Sequence, residues 1–319
     1  MTSPAPTSRA YPVPSGRTAR RLEWPHLPPN LRAYVERHCG SPVVEAVSQG
    51  AGFTPGFASV LTCEDGSRHF VKAASVKAQR MFADSYREEA RKLAALPPEV
   101  AAPRLLWFLD DDWVVLGVEH VEARHPARPW DADDLGACLD ALAMVAEQLT
   151  PAPEGLGLDA FVDELADWPS FWDHLRTTQP DLPHLEEAAA LAAGFAEGCA
   201  GDTVVHTDVR DDNVLIDGAG KVWFCDWNWP TAGAAWLDSV FLLIGPRGDG
   251  VDVETVIAGR PLLRDVPREH VDAVLALVTG YFLRQADEPV PRSSPFIREH
   301  QRWQGQVCWD WLCERRGWR

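Results

Sequence analysis

The segment His206-Thr207-Asp208-Val209-Arg210-Asp211-Asp212-Asn213 concentrates residues that can act on a phosphoryl group. Asp208 and Asn213 stand five apart in a turn between two short strands, and Asp226 closes the next strand, thirteen residues on. Phosphoryl transfer from a nucleotide asks little covalent help of a protein. It needs a carboxylate to orient the attacking hydroxyl, and oxygen ligands for the magnesium ion that bridges the phosphates. Asp208 suits the first task; Asn213 and Asp226 suit the second. Arg210 is a cation two residues past Asp208, placed where charge builds on the transferred group. His206 is expected to brace the loop through bonds between its ring and the backbone.

The elements that must hold these groups follow from pattern. Val204-Val205 and Val214-Leu215-Ile216 flank the loop as short strands. A turn at Asp217-Gly218 and a strand over residues 221–225 then deliver Asp226. Upstream, residues 43–47 and 57–62 read as strands on either side of a glycine-rich stretch, 50–56. Asp65-Gly66 is a hairpin turn signal leading to a strand over 69–72. Residues 75–96 have helical spacing and stop at Pro97-Pro98. Residues 104–109 and 113–118 form another strand pair. After a connector rich in Pro and His, apolar residues recur at three- and four-residue spacing over 131–149, 158–176, 185–199, 234–244, 268–285 and 294–315. A further short helix covers 28–38. The reading is an α+β chain: a strand-rich lobe with one inserted helix over 21–118, a linker over 119–129 and a mostly helical lobe over 130–319. Residues 1–20, with Pro, Ser, Thr and Arg but no apolar core, read as a disordered tail.

Composition narrows the partners. With 46% hydrophobic residues over 319 positions, the chain can bury a sizeable core. A net charge of −17 argues against nucleic acid or an anionic membrane as a partner, and suits solubility or a cationic small molecule. The seven cysteines are scattered and no CxxC pair occurs, so spacing indicates neither a zinc motif nor a disulfide scaffold. Reduced thiols in a cytoplasm are expected. No apolar run has the length to span a bilayer, and no feature specifies an oligomeric state.

His-x-Asp-x-x-x-x-Asn followed by a strand-ending Asp resembles the signature of the protein-kinase-like fold. The form continuing through Val214-Leu215-Ile216 to Phe224-Cys225-Asp226-Trp227 is similar to the aminoglycoside phosphotransferase and choline kinase family. The resemblance implies a bilobal fold, with ATP (or GTP) and Mg2+ bound between the lobes. It implies Asp208 as catalytic base, with Asn213 and Asp226 as magnesium ligands. Arg210 stands where serine/threonine kinases carry a lysine that contacts the γ-phosphate. Lys72 matches the nucleotide-phosphate lysine, and Glu89 the helix glutamate that pairs with it, Glu88 being a substitute. Gly50 and Gly52 match the phosphate-covering loop. Glu119, His120 and Val121 match the connector whose backbone meets the adenine edge. Asp238 matches an Asp that braces the catalytic loop from below. In order, these parts run from about residue 48 to 244; the last 75 residues match only in being helical.

Departures also carry information. The glycines are spaced Gly50-x-Gly52-x-x-x-Gly56, one residue longer than GxGxxG, and an ordinary hairpin turn is the alternative reading. Asp226-Trp227-Asn228 lacks the glycine of the protein-kinase DFG, and no Ala-Pro-Glu element follows, which argues against a regulated protein kinase. Thr207 replaces the glycine or arginine usual at its position. Asp211 and Asp212 either meet a cationic acceptor or are simply solvated. Asp159, Asp163, Glu164 and Asp167, with Trp168 and Trp172, are candidates for an acceptor site. Spacing by four sets Asp159, Asp163 and Asp167 on one helical face, where an amine-bearing sugar or choline-like cation would suit carboxylates and aromatic walls; a solvated face with its tryptophans packed inward is the alternative. The cluster Trp303, Trp309, Trp311 and Trp318 could also line the acceptor groove, with core packing the preferred reading. Three functions stay open: an O-phosphotransferase acting on an aminoglycoside or other natural product, in resistance or biosynthesis; a member that phosphorylates Ser or Thr of a precursor peptide; and a catalytically silent nucleotide- or partner-binding member.

Overall fold

The computed structural model describes residues 18–50 and 52–318. Its first layer is an antiparallel sheet in the order β1-β2-β3-β5-β4, from β1 (Val43–Ser48), β2 (Phe57–Cys63), β3 (Arg68–Ser75), β4 (Leu105–Asp110) and β5 (Trp113–Glu119). The three central strands carry buried runs because both sheet faces are covered. Helix α1 (Pro29–Cys39) lies on the outer face, where Leu31 and Val35 meet Phe57, Leu61, Val71 and Val115. Helix α2 (Arg80–Ala95) covers the inner face, packing Ala83, Tyr86 and Ala90 against Val114, Leu116 and Val118.

Beyond the sheet the chain is mainly helical. The short β6 (Ala123–Arg124) leads to α3 (Ala132–Gln148), whose first turn is capped by the Asp131 carboxylate accepting from the Asp134 N–H at 2.8 Å. Residues 158–176, expected as one helix, divide into α4 (Phe161–Glu164) and α5 (Phe171–Thr178). Pro169 explains the break: it has no N–H to give and disfavours helical backbone at Trp168. Residues 185–199 likewise divide at Gly194 into α6 (Leu185–Ala193) and α7 (Ala196–Cys199).

Then come β7 (Thr203–Val205), β8 (Val214–Asp217), β9 (Val222–Phe224) and β10 (Thr231–Gly233). Strand β7 pairs with β10, and β8 lies between β6 and β9, so the expected hairpin is locked to the linker strand. Helix α8 (Leu237–Gly248) follows, then α9 (Val253–Gly259), α10 (Pro261–Arg264), α11 (Arg268–Ala286) and α12 (Ile297–Arg316). Helix α11 is buried around much of its circumference and packs along α12, forming the centre of the largest apolar cluster. Trp303, Trp309 and Trp311 all belong to that core.

Of the expected tail, residues 1–17 lie outside the described residues. Thr18 is buried, with its N–H and its hydroxyl both 3.1 Å from the Gly50 carbonyl, and the Arg20 N–H donates to the Ser293 carbonyl at 2.8 Å. The end of the tail therefore straps the glycine-rich loop to the segment before α12.

Candidate active site

Between β7 and β8 the chain turns through the His206–Asn213 segment at the floor of the cleft between sheet and helices. Asp238, in the first turn of α8, fixes the start: its carboxylate accepts from the His206 N–H at 2.7 Å and the Thr207 N–H at 3.0 Å. Thr207 has φ +68°, a left-handed conformation that a β-branched residue rarely adopts. Its hydroxyl donates to the Trp229 carbonyl at 2.9 Å, and with Asp238 this holds the strained turn. The His206 ring is bonded to backbone on both sides. Nδ1 accepts from the Asp208 N–H at 3.3 Å, so Nε2–H donates to the Cys225 carbonyl at 2.8 Å. Burial keeps this imidazole neutral by pushing it below its usual range, although Asp238 pulls the other way.

Three groups converge on Asp208. The Asn213 amide donates to its backbone carbonyl at 2.8 Å and to its carboxylate at 3.0 Å. Arg210 Nε lies 3.1 Å from Asp208 Oδ1 and 3.2 Å from Asp212 Oδ1. The Asp208 carboxyl lies deep in the cleft yet stays 41% exposed, open to a small molecule. Burial raises its proton affinity; Arg210 lowers it and Asp226 raises it further, leaving it above the usual carboxylate range.

Asp226 faces this group from the end of β9, at φ +62°. Lys72 on β3 reaches across the cleft, bonded to Asp226 and, at 2.7 and 2.9 Å, to both Glu89 oxygens on α2. Burial works against the charge on Lys72, but Asp226 and Glu89 outweigh it and hold the amine protonated. The same cation outweighs burial at Asp226 and keeps it ionised. Because Asn213 Nδ2 is bonded twice to Asp208, the Asn213 amide oxygen remains as donor to a cation. With the Asp226 carboxylate it forms a hard-oxygen pair of the kind magnesium takes.

Glycine backbone shapes the roof. Gly52 has φ +81° and Gly56 φ +131°; a Cβ on Gly56 would come within 3.2 Å of the Ala73 carbonyl and 3.3 Å of the Tyr86 hydroxyl. The Phe53 ring lies tilted against His300 of α12, centroids 4.8 Å apart, the Phe53 carbonyl accepts from the Ser294 hydroxyl at 2.8 Å, and the Arg210 guanidinium lies 5.8 Å from the Phe53 ring. In the connector, the Glu119 N–H donates to the Arg104 carbonyl at 2.8 Å, and the Glu119 carboxylate accepts from the Arg104 guanidinium at 3.1 Å. His120 is half-buried and Val121 follows it at the same partial burial.

The candidate acceptor residues fall into three groups. Asp211 pairs with Arg128 at 3.0 Å, and Arg128 also clasps Asp249 at 2.7 Å; Asp212 pairs with Arg210 and is pushed up to about 6 by burial despite that partner. Both extra carboxylates thus face arginines. Asp159 precedes α4, Asp163 lies within it and Asp167 sits in the turn beyond, so the expected single helical face does not form; all three are exposed, as is Glu164. Trp172 is fully buried, its N–H on the Ala276 carbonyl at 3.2 Å, and lines no opening. Trp168 instead stacks on Tyr281 of α11, ring centroids 3.9 Å apart. Burial, then the Asp208 carboxylate, raise the Tyr281 phenol above its usual range. Tyr281, Phe53, His300 and Arg128 escape sequence reading because no local motif marks them. Arg128 meets Asp211 across 83 residues.

The sequence profile of the phosphotransferase enzyme family matches residues 49–276, more than two thirds of the chain. The chain belongs to that family, and is a phosphotransferase with an alcohol group as acceptor. No curated protein sequence matches it significantly. Among solved structures it is similar to a spectinomycin phosphotransferase in complex with ADP and spectinomycin (11% identity, 88% of this chain and 97% of that one, TM-score 0.62). It is also similar to a choline kinase from Streptococcus pneumoniae (11% identity, 87% and 99%, TM-score 0.57). An aminoglycoside phosphotransferase from Alicyclobacillus acidocaldarius shares 16% identity over 92% and 96%, with TM-score 0.56. At these identities the likeness is one of fold, the kinase-like arrangement of a sheet lobe on a helical lobe. No helix among the described residues is long and apolar enough to cross a membrane.

Proposed function

We propose that this protein transfers the γ-phosphoryl group of ATP to a hydroxyl of a small amino-sugar or related natural product. The observation that carries the reading is the convergence of Asp208, Arg210, Asn213, Asp226 and the Lys72–Glu89 pair on one cleft. Lys72, steered by Glu89, binds the α- and β-phosphates; the glycine-rich loop covers them and residues 119–121 meet the adenine edge. Asn213 and Asp226 would hold magnesium, which supplies positive charge between the phosphates when bound. Asp208 orients the acceptor hydroxyl and takes its proton as the oxygen attacks phosphorus, the bond to the β-phosphate oxygen breaks, and ADP leaves. Arg210 offsets charge on the transferred group. The stacked Trp168–Tyr281 pair is a wall for a sugar ring, and the exposed Asp159 and Asp163 lie on the same lobe to attract its amines. A peptide acceptor would need a longer groove.

The test is ADP release with ATP and magnesium against a panel of aminoglycosides, other amino-sugars, macrolides, choline, nucleosides and peptides. Stimulation by an amino-sugar, with one phosphate added to the product by mass, is expected. Stimulation by peptides alone, or by nothing bearing a hydroxyl, overturns the reading.

A further inference from the structure

Far from the cleft, on the outer face of the sheet, three potential metal ligands meet. Cys39 ends α1, Cys63 ends β2 and His69 is the second residue of β3; their ligand atoms all lie within 4.8 Å of one another. The register explains the meeting. His69 pairs with Leu61, two residues before Cys63, and Leu61, Cys63 and Val71 share the face that α1 covers. Helix α1 stops at Gly40, which sets Cys39 over the hairpin end.

We propose that Cys39, Cys63 and His69 form a binding site for one zinc-class divalent cation, which staples α1 to the β2–β3 hairpin. Two sulfurs and one imidazole nitrogen are the donors that zinc prefers, and a three-residue set leaves a fourth tetrahedral position to solvent. The histidine is already oriented. The Ser67 hydroxyl donates its proton to Asp65 at 2.6 Å, so its oxygen accepts from His69 Nε2–H at 3.1 Å. That bond leaves the Nδ1 lone pair for the metal, and the Asp65–Ser67–His69 relay is the outer support that ligating histidines have. Both thiols are buried while His69 is partly exposed, so an ion has one open approach. On binding, two S–H bonds are exchanged for two metal–sulfur bonds and the two protons leave to solvent. No motif spacing announces the site, because its first ligand comes from a helix and the other two from a hairpin.

The test uses the full chain, reduced with a phosphine, stripped with chelator and titrated with cobalt and then zinc. One cobalt per chain is expected, with intense thiolate-to-metal charge-transfer and tetrahedral d–d absorption that zinc abolishes, and with a higher unfolding temperature. Cys39→Ser and Cys63→Ser should each lose the charge-transfer band. Ser67→Ala, which keeps every ligand, should weaken cobalt binding by about 10- to 100-fold. Absence of a charge-transfer band in the reduced protein overturns the proposal. So does a band undiminished in both cysteine variants, or a Cys39–Cys63 disulfide in a protein that takes up no metal once reduced.

Discussion

Asp208 sits where burial and charge pull in opposite directions, and the balance makes it a better proton acceptor than a surface aspartate. Asp208→Asn keeps the shape and the bond to Asn213 but cannot accept a proton. Turnover should fall by about 10²–10⁴-fold, while nucleotide affinity measured by calorimetry changes little; near wild-type turnover would refute the role of base. Lys72 has the opposite problem. It is a buried cation held by two carboxylates. Lys72→Met leaves Glu89 buried without its partner, and urea unfolding should show a loss of about 3–5 kcal/mol. Adding Glu89→Gln should restore much of that stability but none of the activity. A double variant no more stable than the single one would show that the pair is not the source.

At the scale of elements, α8 braces the His206–Asn213 loop directly, while α12 meets Phe53 of the glycine-rich stretch through His300. Asp238 on α8 holds two backbone N–H groups of a turn containing a left-handed threonine. Asp238→Ala should let that turn relax, lowering kcat by about 10²-fold through misplacement of Asp208, with the nucleotide KM little changed. A fall in nucleotide affinity of the same size would place the damage elsewhere. On α12, His300 is buried with neither ring nitrogen hydrogen-bonded, near the charges of Arg210 and Arg128, and burial leads those cations in pushing it down to about 3. In the unfolded chain it takes a proton below about 6.5; in the native state it does not. Its contribution is therefore fully present above pH 6.5 and is lost as pH falls toward 3, at up to about 1.4 kcal/mol per pH unit. Unfolding titrations should show a shallower acid slope for His300→Phe, by about one proton; identical slopes would contradict the assignment.

At the scale of the whole molecule, the Lys72–Asp226 bond ties the sheet lobe to the helical lobe across the cleft. Magnesium held by Asp226, as proposed, would compete for the same carboxylate, so metal and nucleotide should reorganise this link together. Magnesium-ATP at ~100 times its Kd should stabilise the protein by about 2.7 kcal/mol, seen as a rise in unfolding temperature. Asp226→Asn should abolish the magnesium-dependent part; an equal rise in that variant would remove Asp226 from the metal site.

By itself the sequence determined the bilobal α+β order and most of the strands and helices, and it marked the candidate polar set from Lys72 to Asp238. Short-range pattern suffices there: short apolar and β-branched runs between turn signals mark the strands, and the loop residues sit close together in the chain. Only tertiary structure decided that Asp211 and Asp212 are paired to arginines, that Trp172 is core while Trp168 joins Tyr281, and that Cys39, Cys63 and His69 meet. The Asp211–Arg128 pair, the Trp168–Tyr281 stack and the approach of Cys39 to the hairpin each join residues far apart in the chain. Which partner a side chain finds there depends on how helices pack over a sheet, a choice that burial and shape settle and local spacing does not.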